Sequence, residues 1–372
     1  VLKNITLLEK IKPIESMGYL HDNSNFREYL KVLSPFFKID DYATVSNNDK
    51  RTFFYNLLYV AQRDLSLAHC IQHNQLSRIA ITCGLDGPAK DIISGSYSDI
   101  VCSYSSHRAM DNIMYDPVTN RLLPGTKGWL SNLKSADICC IEVPEVTDEV
   151  FSYAHRKLTE DMPGIYTLFL DLRKIKHTRT DGTASPTAAG MKGAAPGTLT
   201  LLEPVKVGTD VCYMLKKDPK LDLSYPFFSY GGQCWSTVHL GVILGLYKEL
   251  MKCPEVNDPT LSHRLKTIEI DISSLKIIWE DSLNNIALDS RSGIESNPVM
   301  PLSQINFVRN TQYAASKKLL LDLIHFVLEV GLNQFIDDNT PQWTRFNDAL
   351  SYVTHMASLY RCNNRYSLYN KF

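Results

Sequence analysis

The segment Gly125-Thr-Lys-Gly-Trp-Leu-Ser-Asn sets a large planar side chain, Trp129, two residues from a hydroxyl, Ser131. An indole buries a wide flat surface, and a serine offers a hydroxyl and a backbone N–H. Taken alone, the pair reads as a Trp closing a β core beside a Ser-Asn turn. Cys102-Ser-Tyr-Ser-Ser-His-Arg carries hydroxyls at Ser103 and Ser105, which face one side if the segment is a strand. It ends in His107 and Arg108, a pair able to bind a carboxylate or phosphate, although a solvated loop accounts for them as well. Near the C-terminus Asp348 and His355 stand seven residues apart, close to two helical turns, so they share a face either as a site or as a buried polar pair. Nine cysteines, odd in number and without a Cys-x-x-Cys pair, build neither a disulfide framework nor a zinc site. Asp137-Ile-Cys-Cys-Ile-Glu-Val reads as a strand with buried thiols.

The elements that must position these residues are drawn from 372 residues, enough for two or three domains at about 150 residues each. The 39 Lys and Arg nearly balance the 40 Asp and Glu, which argues against a dedicated nucleic-acid binder. With 19 Tyr, 14 Phe and 4 Trp the chain has core material that a disordered segment lacks. Its apolar runs are broken by charge before the roughly 18 residues of a membrane span, and no leader-like apolar stretch opens the sequence, so a cytoplasmic protein is expected.

Three regions differ in period. Residues 1–97 read as helical, with apolar stripes over Ile5 to Ile11, Phe26 to Phe36 and Asp49 to Cys83. Residues 98–225 carry short β-branched and aromatic runs at Ile100 to Tyr104, Asn112 to Tyr115, Ile138 to Val143, Ile165 to Leu172, Leu199 to Leu202 and Val205 to Val207. These predict an antiparallel, barrel-like β region, with Asp116-Pro-Val-Thr-Asn as a hairpin loop and residues 184–197 as irregular. Residues 226–372 return to helices, at Gln233 to Met251, Leu261 to Leu288, Ser303 to Gly331 and Thr344 to about Tyr369. Leu319 to Leu328 is apolar on nearly every side, as in a central bundle helix or an oligomer interface. The fold class is α+β: helical domain, β domain, helical bundle.

In this order the motifs resemble the acyl-CoA dehydrogenase superfamily. The Gly125 to Asn132 segment, with Ser135-Ala-Asp-Ile after it, is similar to the family's Gly-x-Lys-x-Trp-Ile-(Thr/Ser)-Asn stretch. Asp64-Leu-Ser-Leu-Ala-His resembles the helix closing the N-terminal domain. Gly193 to Val207 resembles the strand leaving the β domain, and Gly231 to Leu246 the first bundle helix. The resemblance implies a flavin site with Trp129 and Ser131 beside the isoalloxazine ring of FAD, and Ser103 and Ser105 lining the same pocket. Gly125 and Gly128 relieve crowding where the chain leaves a strand for a wide loop.

Several family features are missing. Leu246-Tyr-Lys-Glu-Leu-Met-Lys-Cys-Pro-Glu lacks the Arg and Phe-Gly that hold the cofactor pyrophosphate, and Glu329-Val-Gly-Leu-Asn keeps one glycine of a Gly-Gly pair. Where many members carry a catalytic Glu, the chain has Asn364-Arg-Tyr-Ser-Leu-Tyr-Asn, leaving Glu249 as the alternative base, with a pKa raised by an apolar pocket. Arg345 and Asp348 match an Arg-x-x-Arg-Asp-like stretch, with Arg345, His107 and Arg108 as substrate ligands, and His355 resembles a residue of the flavin monooxygenase branch. The leading expectation is a flavin-dependent α,β-dehydrogenation of an acyl thioester on coenzyme A or a carrier protein. The alternatives are a two-component monooxygenase using FMN or FAD from a flavin reductase, and a member that has lost flavin and uses its cavity otherwise. A homodimer or homotetramer through the bundle is expected.

Overall fold

The computed structural model describes residues 13, 16–37, 46–82, 99–105, 111–146, 165–180, 191, 193–194, 196–214, 224–285, 302–330 and 340–362. The expected stripe over Ile5 to Ile11 lies outside them. Helices α1 (Phe26–Phe37), α2 (Asn47–Arg63) and α3 (Leu65–Thr82) come first. The single stripe read over Asp49 to Cys83 is two helices, because Asp64 takes extended backbone at φ −145° and ψ 101°. Its carboxylate then accepts from the Leu67 N–H at 2.8 Å and caps α3.

Strands β1 (Cys102–Ser105), β2 (Tyr115–Asp116), β3 (Arg121–Leu122), β4 (Gly125–Leu130) and β5 (Ile138–Pro144) follow. The remainder are β6 (Ile165–Asp171), β7 (His177–Thr180), β8 (Gly197–Leu201), β9 (Val205–Lys206) and β10 (Cys212–Met214). They form three sheets, ordered β1-β5-β6-β10, β2-β3-β9 and β4-β8-β7. The region is mixed rather than wholly antiparallel: β1 runs parallel to β5, Cys102 opposite Ile138. The intervening β2 to β4 supply the long crossover that a parallel pair needs. The β2–β3 hairpin forms as expected, with Asn120 at φ 52° and the Asp116 carboxylate accepting from the Val118 N–H at 2.9 Å. The Gly125 segment, expected to leave a strand for a loop, is itself strand β4. A Cβ at Gly125 would lie 2.7 Å from the Asn112 carbonyl oxygen, whereas at Gly128 the nearest atom is 3.9 Å away, so crowding explains only the first glycine.

The bundle is α4 (Ser224–Leu250), α5 (Pro259–Asn285), α6 (Leu302–Val330) and α7 (Pro341–Cys362). Leu319, Leu320, Leu323, Ile324, Phe326 and Val327 are buried in the chain's own core, and Leu328 is exposed. One hydrophobic cluster joins the N-terminal helices, the bundle and one face of β5; a second fills the β region. Strand alternation sends Cys140 to the first and Cys139 to the second. The seven cysteines whose side chains are described are buried and form no disulfide with one another. No described helix is long and apolar enough to cross a membrane.

Candidate functional site

Helix α3 is buried along its length although it carries Ser66, His69, Gln72, His73, Asn74, Gln75, Ser77 and Arg78. Its polar side chains have a structural task. Strand β1 is an edge strand, with one side of its backbone unpaired by the sheet. The Cys102 N–H donates to Asn74 Oδ1 at 2.8 Å, and Ser77 Oγ donates to the Ser103 carbonyl at 2.5 Å. His73 Nδ1 lies 3.1 Å from the Tyr104 carbonyl oxygen, and Arg78 donates to the Ile100 carbonyl at 2.7 Å. The helix thus stands in for a missing strand and satisfies backbone groups that burial would leave costly.

This docking carries His69 to the end of β4. His69 Nε2 lies 2.8 Å from Ser131 Oγ, with both residues buried. Ser103 Oγ donates to the Ser131 carbonyl, and Ser105 Oγ to the Gly128 carbonyl at 3.3 Å. The two hydroxyls share a side of β1, as alternation predicts, and both are engaged by the β4 segment. Asn132, at φ 65°, donates to the carbonyls of Cys70 at 2.8 Å and Cys102 at 3.2 Å, which locks the Ser131 turn to α3 and β1. Behind the motif Lys127 pairs with Asp111 at 2.6 Å, both almost wholly buried, and the other Asp111 oxygen accepts from the Gly128 N–H at 3.0 Å.

The bundle closes the site from the other side. The His69 ring lies 4.4 Å from His73, 5.5 Å from Trp235 and 5.9 Å from Tyr352, centroid to centroid. Trp235 and Tyr352 stack at 6.4 Å with 22° between planes. The Tyr352 hydroxyl is 3.0 Å from His239 Nε2, and His239 Nδ1 is 2.9 Å from Ser316 Oγ. Burial, helped by the charge of Lys317, pushes the His239 pKa down to about 3, so its ring is neutral, with one nitrogen donating and the other accepting. Three regions of the chain therefore meet around Ser131.

The sequence-predicted residues fall in two places. Ser131, Ser103 and Ser105 belong to this cluster. Glu249 and Arg345 pair with each other instead, and Arg345 lines a separate cleft with Tyr19, Arg63, Leu65 and Asp348. The raised pKa expected for Glu249 is corrected: burial does push it up, but hydrogen bonds and charge from Lys252 and Arg345 outweigh that and hold it below the ordinary carboxylate value. Arg345 is occupied by Glu249 and the Tyr19 hydroxyl. His107 and Arg108 lie outside the described residues, as do the side chains of Trp129 and His355. Sequence reasoning missed His69, His73, Trp235, His239 and Tyr352. The available signal was α3 itself, since eighteen residues with neutral polar groups and a single charge, Arg78, do not make a solvated helix face.

No protein-family model and no curated protein matches the sequence. The three-dimensional structure does match solved proteins. A 3-HSA hydroxylase from Rhodococcus sp. RHA1 superposes with a TM-score of 0.68 at 14% identity, covering 98% of this chain and 94% of that one. TdsC from Paenibacillus sp. A11-2, solved with FMN and indole, gives 0.66 at 13% identity over 93% and 90%. A glutaryl-coenzyme A dehydrogenase bound to glutaryl-CoA gives 0.65 at 10% identity over 91% and 89%. The chain has the fold of the acyl-CoA dehydrogenase superfamily.

Proposed function

We propose that the chain is a flavin-dependent oxidoreductase of the monooxygenase type, taking reduced flavin and O2 from solution to oxidise a small molecule. One observation carries this reading over dehydrogenation. The hydroxyl of the Gly-x-Lys-x-Trp segment is set against a buried imidazole, His69, while the carboxylate offered as an α-proton base, Glu249, is held ionised by Arg345 and Lys252 away from that hydroxyl's cluster. A base for a weakly acidic carbon needs a raised pKa, and Glu249 has the opposite shift. The similar structures support the reading, because they include a hydroxylase and a complex with FMN.

The residues fit the ring end of a flavin. Both amide atoms of the wholly buried Gln72, one turn beyond His69, have no hydrogen-bond partner in the structure, and neither does Ser236 Oγ, next to Trp235. Buried polar atoms of this kind call for a ligand or water with both donors and acceptors, as the carbonyl and imino edge of a flavin has. When bound, reduced flavin would supply the electrons for O2 activation. Ser131 would orient the ring edge, with Ser103 and Asn132 fixing the turn. His69 would hold or pass a proton at Ser131 Oγ, and Trp235 and Tyr352 would keep water out and favour a planar substrate. A flavin reductase would be the working partner.

Visible spectroscopy tests this. Titrating purified protein with FAD, and anaerobically with reduced FMN, is expected to perturb the flavin bands, more strongly for the reduced form. Adding O2 should then yield oxidised flavin through a protein-dependent spectral phase. A protein that leaves both flavins unchanged would defeat the redox reading in favour of a cavity used for other binding.

A further inference from the structure

Two carboxyl groups outside the flavin cluster are almost completely buried and tie four parts of the chain together. Asp64 Oδ2 accepts from the Leu20 N–H at 2.7 Å and Oδ1 from the Leu67 N–H at 2.8 Å. Asp348 Oδ1 accepts from the Met191 N–H at 2.6 Å and Oδ2 from Ser66 Oγ at 3.2 Å. Met191 has φ 55°, a left-handed conformation that a non-glycine residue keeps only where its surroundings hold it. From Met191 the connection reaches the candidate site in two steps. The Ala194 N–H donates to the Met191 carbonyl at 3.0 Å, and the Asn132 N–H donates to the Ala194 carbonyl at 3.1 Å. Asn132 directly follows Ser131. Gly193 is pinned from the other side by Asn23 Nδ2, 2.9 Å from its carbonyl oxygen. Asp348 also lines a cleft beside Arg345 and Tyr19.

We infer that Asp348, backed by Asp64, is a positioning residue that sets the Ser131–Asn132 turn through Met191 and Ala194, and that proton release from this carboxyl pair loosens the turn. The inference deepens the proposed function and rests on it only for its consequence in catalysis, since the coupling itself needs no flavin. Burial raises Asp64 to about 7 and Asp348 to about 6, and the N–H and hydroxyl donors oppose this only in part. Among facing groups, His21 favours ionised Asp348 and ionised Asp348 disfavours ionised Asp64. Asp64 acts in turn on Tyr19, Tyr29 and Cys70, and Arg345 is already matched by Glu249 and Tyr19. The sign follows from linkage. The closed arrangement keeps protons that an opened, solvated one releases, so closure is firmest near pH 4 and weakens as pH rises to about 7.

Hydrogen exchange read by mass spectrometry on the flavin-free protein tests this, with rates corrected for intrinsic pH dependence. Protection of the peptides containing Asn132 and Met191–Ala194 is expected to fall about tenfold between pH 5 and pH 7.5. Asp348→Asn keeps an acceptor for the Met191 N–H and removes the titration of Asp348 while leaving that of Asp64, so its fall should be smaller than the wild type's, and Asp348→Glu should restore it. Equal protection at both pH values in the wild type would overturn the inference, as would an Asp348→Asn protein that titrates like the wild type. Should Asp348→Asn fail to fold, Asp64→Asn decides: a reduced fall supports the pair, and an unchanged one overturns it. Because flavin is absent throughout, a failed spectral titration and a failed exchange experiment are separate results.

Discussion

His69 Nε2 and Ser131 Oγ lie 2.8 Å apart although they come from distant parts of the sequence, one from a buried helix and the other from the end of a β-strand. Ser131→Ala removes the hydroxyl and leaves a buried imidazole nitrogen without its partner, a loss worth about 1–3 kcal/mol of stability. If the hydroxyl also orients flavin, reduced-flavin affinity should drop at least about tenfold, or about 1.4 kcal/mol. Ser131→Thr should recover most of both losses. Denaturant unfolding and a reduced-FMN titration on the same preparations check this, and unchanged flavin affinity in a folded Ser131→Ala protein would remove Ser131 from the site.

Behind that turn, Lys127 and Asp111 form an ion pair at 2.6 Å with almost no exposure. Removing one member of such a pair leaves a buried charge, which costs about 3–5 kcal/mol. Asp111→Ala should therefore lower the unfolding free energy by about that amount, and it also releases the Gly128 N–H. Urea titration measures it. A change below about 1 kcal/mol would mean that water reaches Lys127 after the substitution.

The parts that were legible in the sequence are those where one periodicity held. The strand read over Ile138 to Val143 forms as β5, and the segment that carries Asp348 and His355 at two-turn spacing forms helix α7. The same spacing passed over Tyr352, which sits four residues after Asp348 on that face and carries the contact to His239. Helix α3 hid its role because its buried face is polar: its partners are the carbonyls and N–H groups of β1, and backbone leaves no trace in hydropathy. Strand β4 was read as a loop because Gly125 and Gly128 suggest turns, yet Gly125 is needed where the Asn112 backbone passes close by. The Asp64–Asp348 connection joins residues 284 positions apart in sequence numbering through Ser66, and no local pattern encodes it.

Gly193 gives a sharper steric test. A Cβ there would lie 1.8 Å from the Leu20 carbonyl oxygen, a backbone atom that cannot turn aside. Gly193→Ala should destabilise the protein by about 1–3 kcal/mol or more, as overpacking does. It should also disturb the Asn23 and Asn132 contacts that frame the Ser131 turn. Thermal unfolding and near-ultraviolet circular dichroism report both effects, and a variant with wild-type values would show that the 193–194 segment lies farther from Leu20 in solution.

His239 sets an opposing pH dependence. Its folded pKa is pushed down to about 3, while an unfolded histidine titrates near 6.5. The unfolded chain therefore binds the proton first as pH falls. Stability from this group is present above about 6.5 and is lost as pH drops toward 3. Between pH 7 and pH 5 the loss is about 2 kcal/mol. The carboxyl pair works the other way over the same range, since raised carboxyl pKa values stabilise the fold as pH falls from about 7. Partial cancellation is expected in the wild type. It should be broken by His239→Gln, which cannot take up a proton, so that this variant gains stability on acidification relative to wild type. Urea midpoints at pH 7 and pH 5 for the two proteins measure the difference directly. Parallel shifts would show that His239 reaches solvent and titrates normally in the folded state.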